Sequence, residues 1–93
     1  MYWWLSFCDE SRPVGQQFLG ACIVPGLDMI EAVKAAHRNR CNPGGEVVGR
    51  PVPTKLMPHL EDRWLKRLLN AAECETFNAE CDRIHERLAR GHS

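Results

Sequence analysis

Residues 41–50 read C-N-P-G-G-E-V-V-G-R, a turn followed at once by a short apolar run. Pro43 fixes its own φ at about −65°, and Gly44 and Gly45 lack a Cβ and therefore accept positive φ. Two interpretations of the turn stay open. In the first it connects a helix to a strand, as Gly-rich turns commonly do. In the second the glycine amides form a concave nest of N–H donors that holds an anion.

Two apolar runs before this turn predict a β-hairpin. The first, Tyr2–Phe7, is short and aromatic-rich, and the second, Phe18–Val24, ends at Pro25-Gly26. A polar loop over residues 9–15 joins them. We expect the first strand to be central, or covered on its second face by another subunit, because both of its faces are largely apolar. Alternation gives the two faces as Tyr2, Trp4 and Ser6 on one side and Trp3, Leu5 and Phe7 on the other.

A helix and a third strand complete the predicted core. Asp28, with Glu31 three residues later, is a typical helix start, and we expect the helix to run to about Arg38. Its apolar stripe, Ile30, Val33 and Ala36/His37, predicts packing on the sheet. Glu46–Arg50 then forms a strand kept short or at an edge by the prolines that follow. The predicted fold class is α+β, a two-layer ββαβ core with a small mixed sheet, followed by one or two C-terminal helices.

The remainder of the chain has helical periodicity. Apolar residues recur in steps of three or four from Leu60 to Leu88. One unbroken helix would be about 48 Å long, which exceeds the width of so small a domain. We therefore expect a break near residues 70–76 and a C-cap at Gly91. The predicted organisation is a core over residues 1–57 and a helical extension over residues 58–93, which packs on the core or on a partner subunit.

Composition restricts the compartment and the partners. Twelve basic and twelve acidic residues balance to a formal charge of zero, which argues against non-specific nucleic-acid binding. The apolar start of the chain has no basic n-region and is too short for a membrane span, so we expect neither a secretory signal nor a membrane partner. Five cysteines with no C-x-x-C pair are interpreted as reduced, mostly buried thiols of a cytoplasmic protein.

Catalytic and metal-binding patterns are weak. The sequence has no nucleophile elbow, H-E-x-x-H or phosphate-loop motif, and the carboxylates after Cys8 disfavour a reactive thiolate there. Cys74, Cys81 and His85 share one helical stripe, but Phe77, Ile84 and Leu88 share it too, which is typical of a core. We therefore predict no enzyme activity, no bound metal and no cofactor.

A small phosphate or nucleotide site is the strongest candidate for function. The amides of Gly44 and Gly45 would hold the phosphate, a nearby cation would neutralise it, and an exposed indole would stack on a base. The competing interpretation is that cations at the end of the helix simply favour its dipole. The candidate ligand-binding residues are Gly44, Gly45, Arg50, Arg40, Arg38 and Trp4.

Three runs resemble a group of small uncharacterised phage and prophage-type proteins: W-L-S-F at 4–7, Q-F-L-G-A-C-I-V at 17–24 and N-P-G-G-E-V at 42–47. The resemblance covers roughly residues 3–53 and brings no catalytic residue with it. It implies an accessory viral role, such as blunting host defence by sequestering a nucleotide-like signal. The alternative is a protein-binding inhibitor or interaction module that acts on a host defence protein and has no small-molecule site.

Self-association is also expected. A chain of zero net charge lacks self-repulsion. In addition, one helix is too little to cover both apolar faces of three strands, and the stripe from Cys74 to Leu88 needs a surface to pack on. The sequence therefore predicts a homo-oligomer, most simply a dimer.

Overall fold

The computed structural model describes residues 1–91 and has the predicted α+β fold. The hairpin, the first helix, the third strand and a C-terminal helix all lie within a few residues of their predicted positions. Two short 3-10 turns, at Met57–His59 and Asp62–Trp64, precede the C-terminal helix. The main elements are β1 (Tyr2–Cys8), β2 (Phe18–Pro25), α1 (Met29–Arg38), β3 (Glu46–Pro51) and α2 (Ala71–Arg90).

β1 is the central strand, in the sheet order β2-β1-β3. Trp4 is opposite Ile23 on one side and Arg50 on the other, and both pairings are antiparallel. The prediction of a hairpin and of a central first strand is confirmed. The prediction of a mixed sheet is wrong, because β2 and β3 run parallel to each other but are separated by β1.

α1 packs closely on one face of the sheet. Asp28 caps its first turn by accepting a hydrogen bond from the Glu31 N–H at 2.9 Å. The predicted ends of the helix are confirmed, and Val33 and Ala36 of the predicted stripe pack on the sheet, but Ile30 is wrong, since it is 68% exposed. Ala32, Ala35 and Ala36 are the fully buried residues of the helix, and Met29 and Val33 pack beside them. The buried residues of this first core are Leu5, Phe7, Cys22, Val24, Ala32, Ala35, Ala36 and Cys41.

The segment from residue 52 to residue 69 crosses the second face of the sheet in an irregular conformation. The Leu69 N–H donates to the Ala21 carbonyl at 2.7 Å, and the Lys66 N–H donates to the Ile23 carbonyl at 2.9 Å. A helix over residues 58–70, expected from the periodicity, is therefore wrong. These backbone groups bond to the outer edge of β2, so they are not available for helical bonds.

α2 begins where the break was expected. Asn70 and Glu73 form a capping box, with the Glu73 N–H 2.8 Å from Asn70 Oδ1, and the helix ends at Gly91. α2 and the preceding segment cover the second face, so the C-terminal extension packs on the two-layer core as a third layer. The second core comprises Ala21, Ile23, Val52, Trp64, Leu69, Cys74 and Phe77.

The chain thus covers both faces of its own sheet. The idea that a partner subunit is needed to cover the second face is wrong for this reason. None of the helices within residues 1–91 combines the length and hydropathy that crossing a membrane requires.

Candidate functional site

The glycine turn has a local steric explanation. Gly44 and Gly45 both have positive φ, at 88° and 76°, as the sequence predicts. A Cβ at Gly45 would collide with the carbonyl oxygen of Cys8, whereas a Cβ at Gly44 would meet open space. The Gly44 N–H already donates to Asn42 Oδ1 at 2.9 Å. One of the two amides proposed for an anion nest is therefore occupied within the turn.

The structure separates the cations that the sequence grouped around this turn. Arg40 is exposed beside it, in the left-handed region at φ 58°. Arg38, at the end of α1, lines a different hollow together with Glu31. Arg50 is five residues along β3 from Gly45, a distance of roughly 16 Å at the usual rise per residue. Anion binding at the turn stays a prediction, but without Arg50 close to the glycines.

Trp4 and Arg50 are brought together. They are direct cross-strand partners in β1 and β3, so their side chains leave the same face of the sheet. Both line a groove of about 440 Å³ between the end of β3 and α2. Two of the six predicted site residues therefore meet in one concave surface, and that surface is not the glycine turn.

The floor of the groove is aromatic and fixed in position. The rings of Trp4 and Phe77 stack with their centroids 5.3 Å apart and their planes 16° apart. Trp64 packs edge-on against Phe77 at 5.7 Å, and its indole N–H donates to Glu80 at 2.9 Å. The Arg63 guanidinium lies 4.3 Å from the centre of the Trp64 ring. This chain of contacts fixes α2 relative to β1.

The walls of the groove combine polar and apolar side chains. β3 supplies Arg50, and α2 supplies Asn78, Asp82 and His85 at spacings that share one helix face. The helical spacing of these α2 residues is visible in the sequence, but nothing in the sequence shows that this face looks towards β3. The apolar lining consists of Pro51, Val52, Pro53, Leu56, Phe77 and the Cys81 side chain.

Four of the five thiols have a raised pKa. Burial raises the pKa of Cys22, Cys41, Cys74 and Cys81, and the carboxylates of Asp82 and Glu80 raise that of Cys81 further. A thiol with a raised pKa is a poor nucleophile at neutral pH. All five cysteines are free. Among residues 1–91, no three His, Cys, Asp or Glu side chains are grouped so that they could hold a metal ion.

A second hollow, of about 470 Å³, lies on the other side of α2. Its lining carries charges of both signs, and Ile84 is its apolar residue. The other lining residues are His59, Glu61, Glu80, Arg83, Glu86, Arg87 and Arg90. It is slightly larger than the Trp4 groove, but it has no aromatic floor. Glu80 is already bonded to Arg63 and Trp64. Size alone therefore does not make it the better site.

Comparison of the chain with protein-family models, with curated proteins and with solved structures gave no match. The geometry of the groove is thus the basis on which function is argued.

Proposed function

We propose that this protein acts by binding, without turnover, and that the groove between β3 and α2 takes an aromatic ring that carries an anionic group. Nucleotides and related phosphate-bearing signals belong to this class. One observation carries the proposal: Trp4 and Arg50 are cross-strand partners that line the same groove. The sequence analysis predicts the same class of phosphate-bearing ligand but places it at the glycine turn. The location proposed here is the groove at Arg50, about 16 Å along β3 from that turn.

The ring-binding part of the proposal rests on Trp4. Phe77 holds its indole by stacking, so little side-chain freedom is lost when a ligand binds. Trp4 is only half-buried, and it reaches the groove. Stacking of a base on an aromatic side chain contributes about 1–3 kcal/mol per base in other proteins. The groove volume, about 440 Å³, lies within the usual range for small-ligand sites.

The anion-binding part rests on Arg50. It is exposed, and within residues 1–91 no carboxylate forms an ion pair with it. A guanidinium binds a phosphate through two parallel hydrogen bonds. Asp82 and Asn78, on the α2 wall, are placed to accept or donate hydrogen bonds to ring or sugar groups. These groups give an orientation in which the ring lies on Trp4 and the phosphate lies at the mouth.

The resemblance to small phage proteins supports an accessory role for such a site. Removal of a signalling nucleotide by tight binding needs no catalytic group. We therefore propose sequestration of a nucleotide-like host signal as the biological setting. The competing proposal, inhibition of a host protein without a small-molecule site, becomes the leading one if the test below finds no ligand.

The test is a thermal-shift screen against a panel of mono-, di- and cyclic nucleotides. A ligand at a hundred times its dissociation constant stabilises the folded state by about 2.7 kcal/mol and raises the melting temperature by several degrees. Asn78→Trp fills the groove from an exposed helix position and should abolish the shift. Ala79→Trp adds the same side chain one residue along, where it does not line the groove, and should retain it.

Two results would contradict the proposal. One is the absence of any shift across the panel with the wild type. The other is an equal shift for Asn78→Trp and Ala79→Trp, which would place the bound nucleotide outside the groove.

A further inference from the structure

β3 has an open outer edge. Within residues 1–91, its only strand neighbour is β1. The Val52 N–H donates to the Tyr2 carbonyl at 2.9 Å, so in the β1–β3 register the backbone groups of Glu46, Val48 and Arg50 point towards β1. By the alternation of an antiparallel ladder, the N–H and C=O groups of Val47 and Gly49 point the other way, to solvent. Such an edge is a template for another strand.

The side chains along this edge are self-complementary. Glu46, Val48 and Arg50 are all exposed and all lie on the α2 face of the sheet, opposite Cys8, Ser6 and Trp4 of β1. Val48 is 67% exposed although it is apolar. Along the edge these residues read acid, apolar, base. When two copies of the edge run antiparallel, each acid therefore faces a base and the two apolar residues face each other.

We propose that two copies of this chain pair through β3, antiparallel, about a two-fold axis at Val48. The result is one six-stranded sheet in the order β2-β1-β3-β3-β1-β2. In this register Val48 packs against Val48 of the partner subunit. Glu46 lies opposite Arg50 of the partner subunit, and symmetry repeats this ion pair on the other side of the axis.

The charges of Glu46 and Arg50 favour this register over those with the two-fold axis one residue to either side. Moving the axis one residue, to Val47, places Glu46 opposite Val48 of the partner subunit and leaves Arg50 opposite the glycine turn. Moving it to Gly49 places Arg50 opposite Val48 of the partner subunit. The axis at Val48 is the one of the three that joins both charges to an opposite charge.

The backbone of the edge fits the same register. Val47 would exchange both backbone hydrogen bonds with Gly49 of the partner subunit, and Gly49 would do the same with the partner's Val47. Pro51 would lie opposite Gly45 of the partner subunit. Because Pro51 has no N–H to donate, the ladder would end there. Because a two-fold pairing uses the open edge of both copies, it closes on itself and does not propagate into a fibre.

This inference goes beyond the proposed function and does not depend on it. Arg50 has a role in both, which its five N–H donors allow: one edge of the guanidinium can meet a carboxylate while another meets an anion in the groove. Mass measurements on the ligand-free protein test the pairing alone, so failure of the ligand screen leaves this test intact.

The experiment is light scattering of the full chain at tens of micromolar, with Val48→Lys compared with Val14→Lys. Like charges directly opposite each other destabilise an antiparallel pair, so Val48→Lys should raise the dimer dissociation constant by about tenfold or more. Val14 is 93% exposed in the loop between β1 and β2, and Val14→Lys adds the same charge while leaving the dimer mass unchanged.

A charge exchange then tests the register. Glu46→Arg places arginine opposite arginine twice and should favour the monomer. The double variant Glu46→Arg with Arg50→Glu restores opposite charges and should restore the dimer. A monomeric wild type would overturn the inference and leave the edge for a different protein. A dimer indifferent to Val48→Lys would overturn it as well, because its seam would lie elsewhere.

Discussion

At the scale of single residues, Gly45 shows how a local signal and a tertiary contact combine. The positive φ of both turn glycines was predictable from Asn-Pro-Gly-Gly alone. The collision that a side chain at Gly45 would cause was not, because Cys8 is distant in the sequence and meets the turn only through the β1–β3 ladder. The two glycines therefore have different roles, although the sequence treats them alike.

This difference is measurable by substitution. Gly44→Ala should cost on the order of 1 kcal/mol of unfolding free energy, since the position is open and only its φ is unfavourable. Gly45→Ala should cost clearly more, because the Cβ also displaces backbone. Urea denaturation of both variants gives the comparison. Equal costs would contradict the steric account, and a loss of ligand affinity confined to Gly45→Ala would return the anion site to the turn.

At the scale of secondary structure elements, local signals were reliable where a segment bonds to itself. The Asp28 cap set the start of α1, and the N-cap at Asn70 lies within the range predicted for the break. The segment over residues 58–70 has the same apolar spacing as a helix, yet the N–H groups of Lys66 and Leu69 bond to β2, and those of Leu60 and Leu65 only close short turns. The spacing of apolar residues does not reveal such a partner, so the sequence could not distinguish the two outcomes.

The start of α2 gives a pH prediction. A hydrogen bond from Arg67, followed by one from the Asn70 N–H, lowers the pKa of Glu73 from its usual value of 4.5. Because the folded-state pKa is below the unfolded one, the stabilisation is present above the unfolded value and is lost as the pH falls through the folded value. Glu73→Gln keeps an oxygen acceptor but does not titrate.

The wild type should therefore lose more stability than Glu73→Gln between about pH 5 and pH 3. Urea midpoints measured across this range provide the test. Glu75→Gln, at an exposed position of the same helix, is the matched control and should follow the wild type. Parallel curves of urea midpoint against pH for the wild type and Glu73→Gln would show that the ionised form of Glu73 does not stabilise the fold.

At the scale of the whole molecule, the groove exists because two segments that are distant in the sequence meet on the second face of the sheet. Trp4 and Arg50 could be proposed as site residues from their chemistry. Their meeting with Asn78 and Asp82 depends on the Trp4–Phe77 stack, which positions α2 and which no local pattern encodes. The same packing covers the second face of the sheet, for which the sequence analysis expected a partner subunit. The outer edge of β3 stays uncovered.

Ligand binding in the groove is tested most directly by calorimetry with the nucleotide that gives the largest thermal shift, using the wild type, Arg50→Ala and Arg38→Ala. Both arginines are exposed, but Arg38 lines a separate hollow. Arg50→Ala should weaken binding by about tenfold or more, the usual scale for a charged hydrogen bond. Arg38→Ala should bind as the wild type does. Equal affinity of Arg50→Ala and the wild type would contradict binding in the groove.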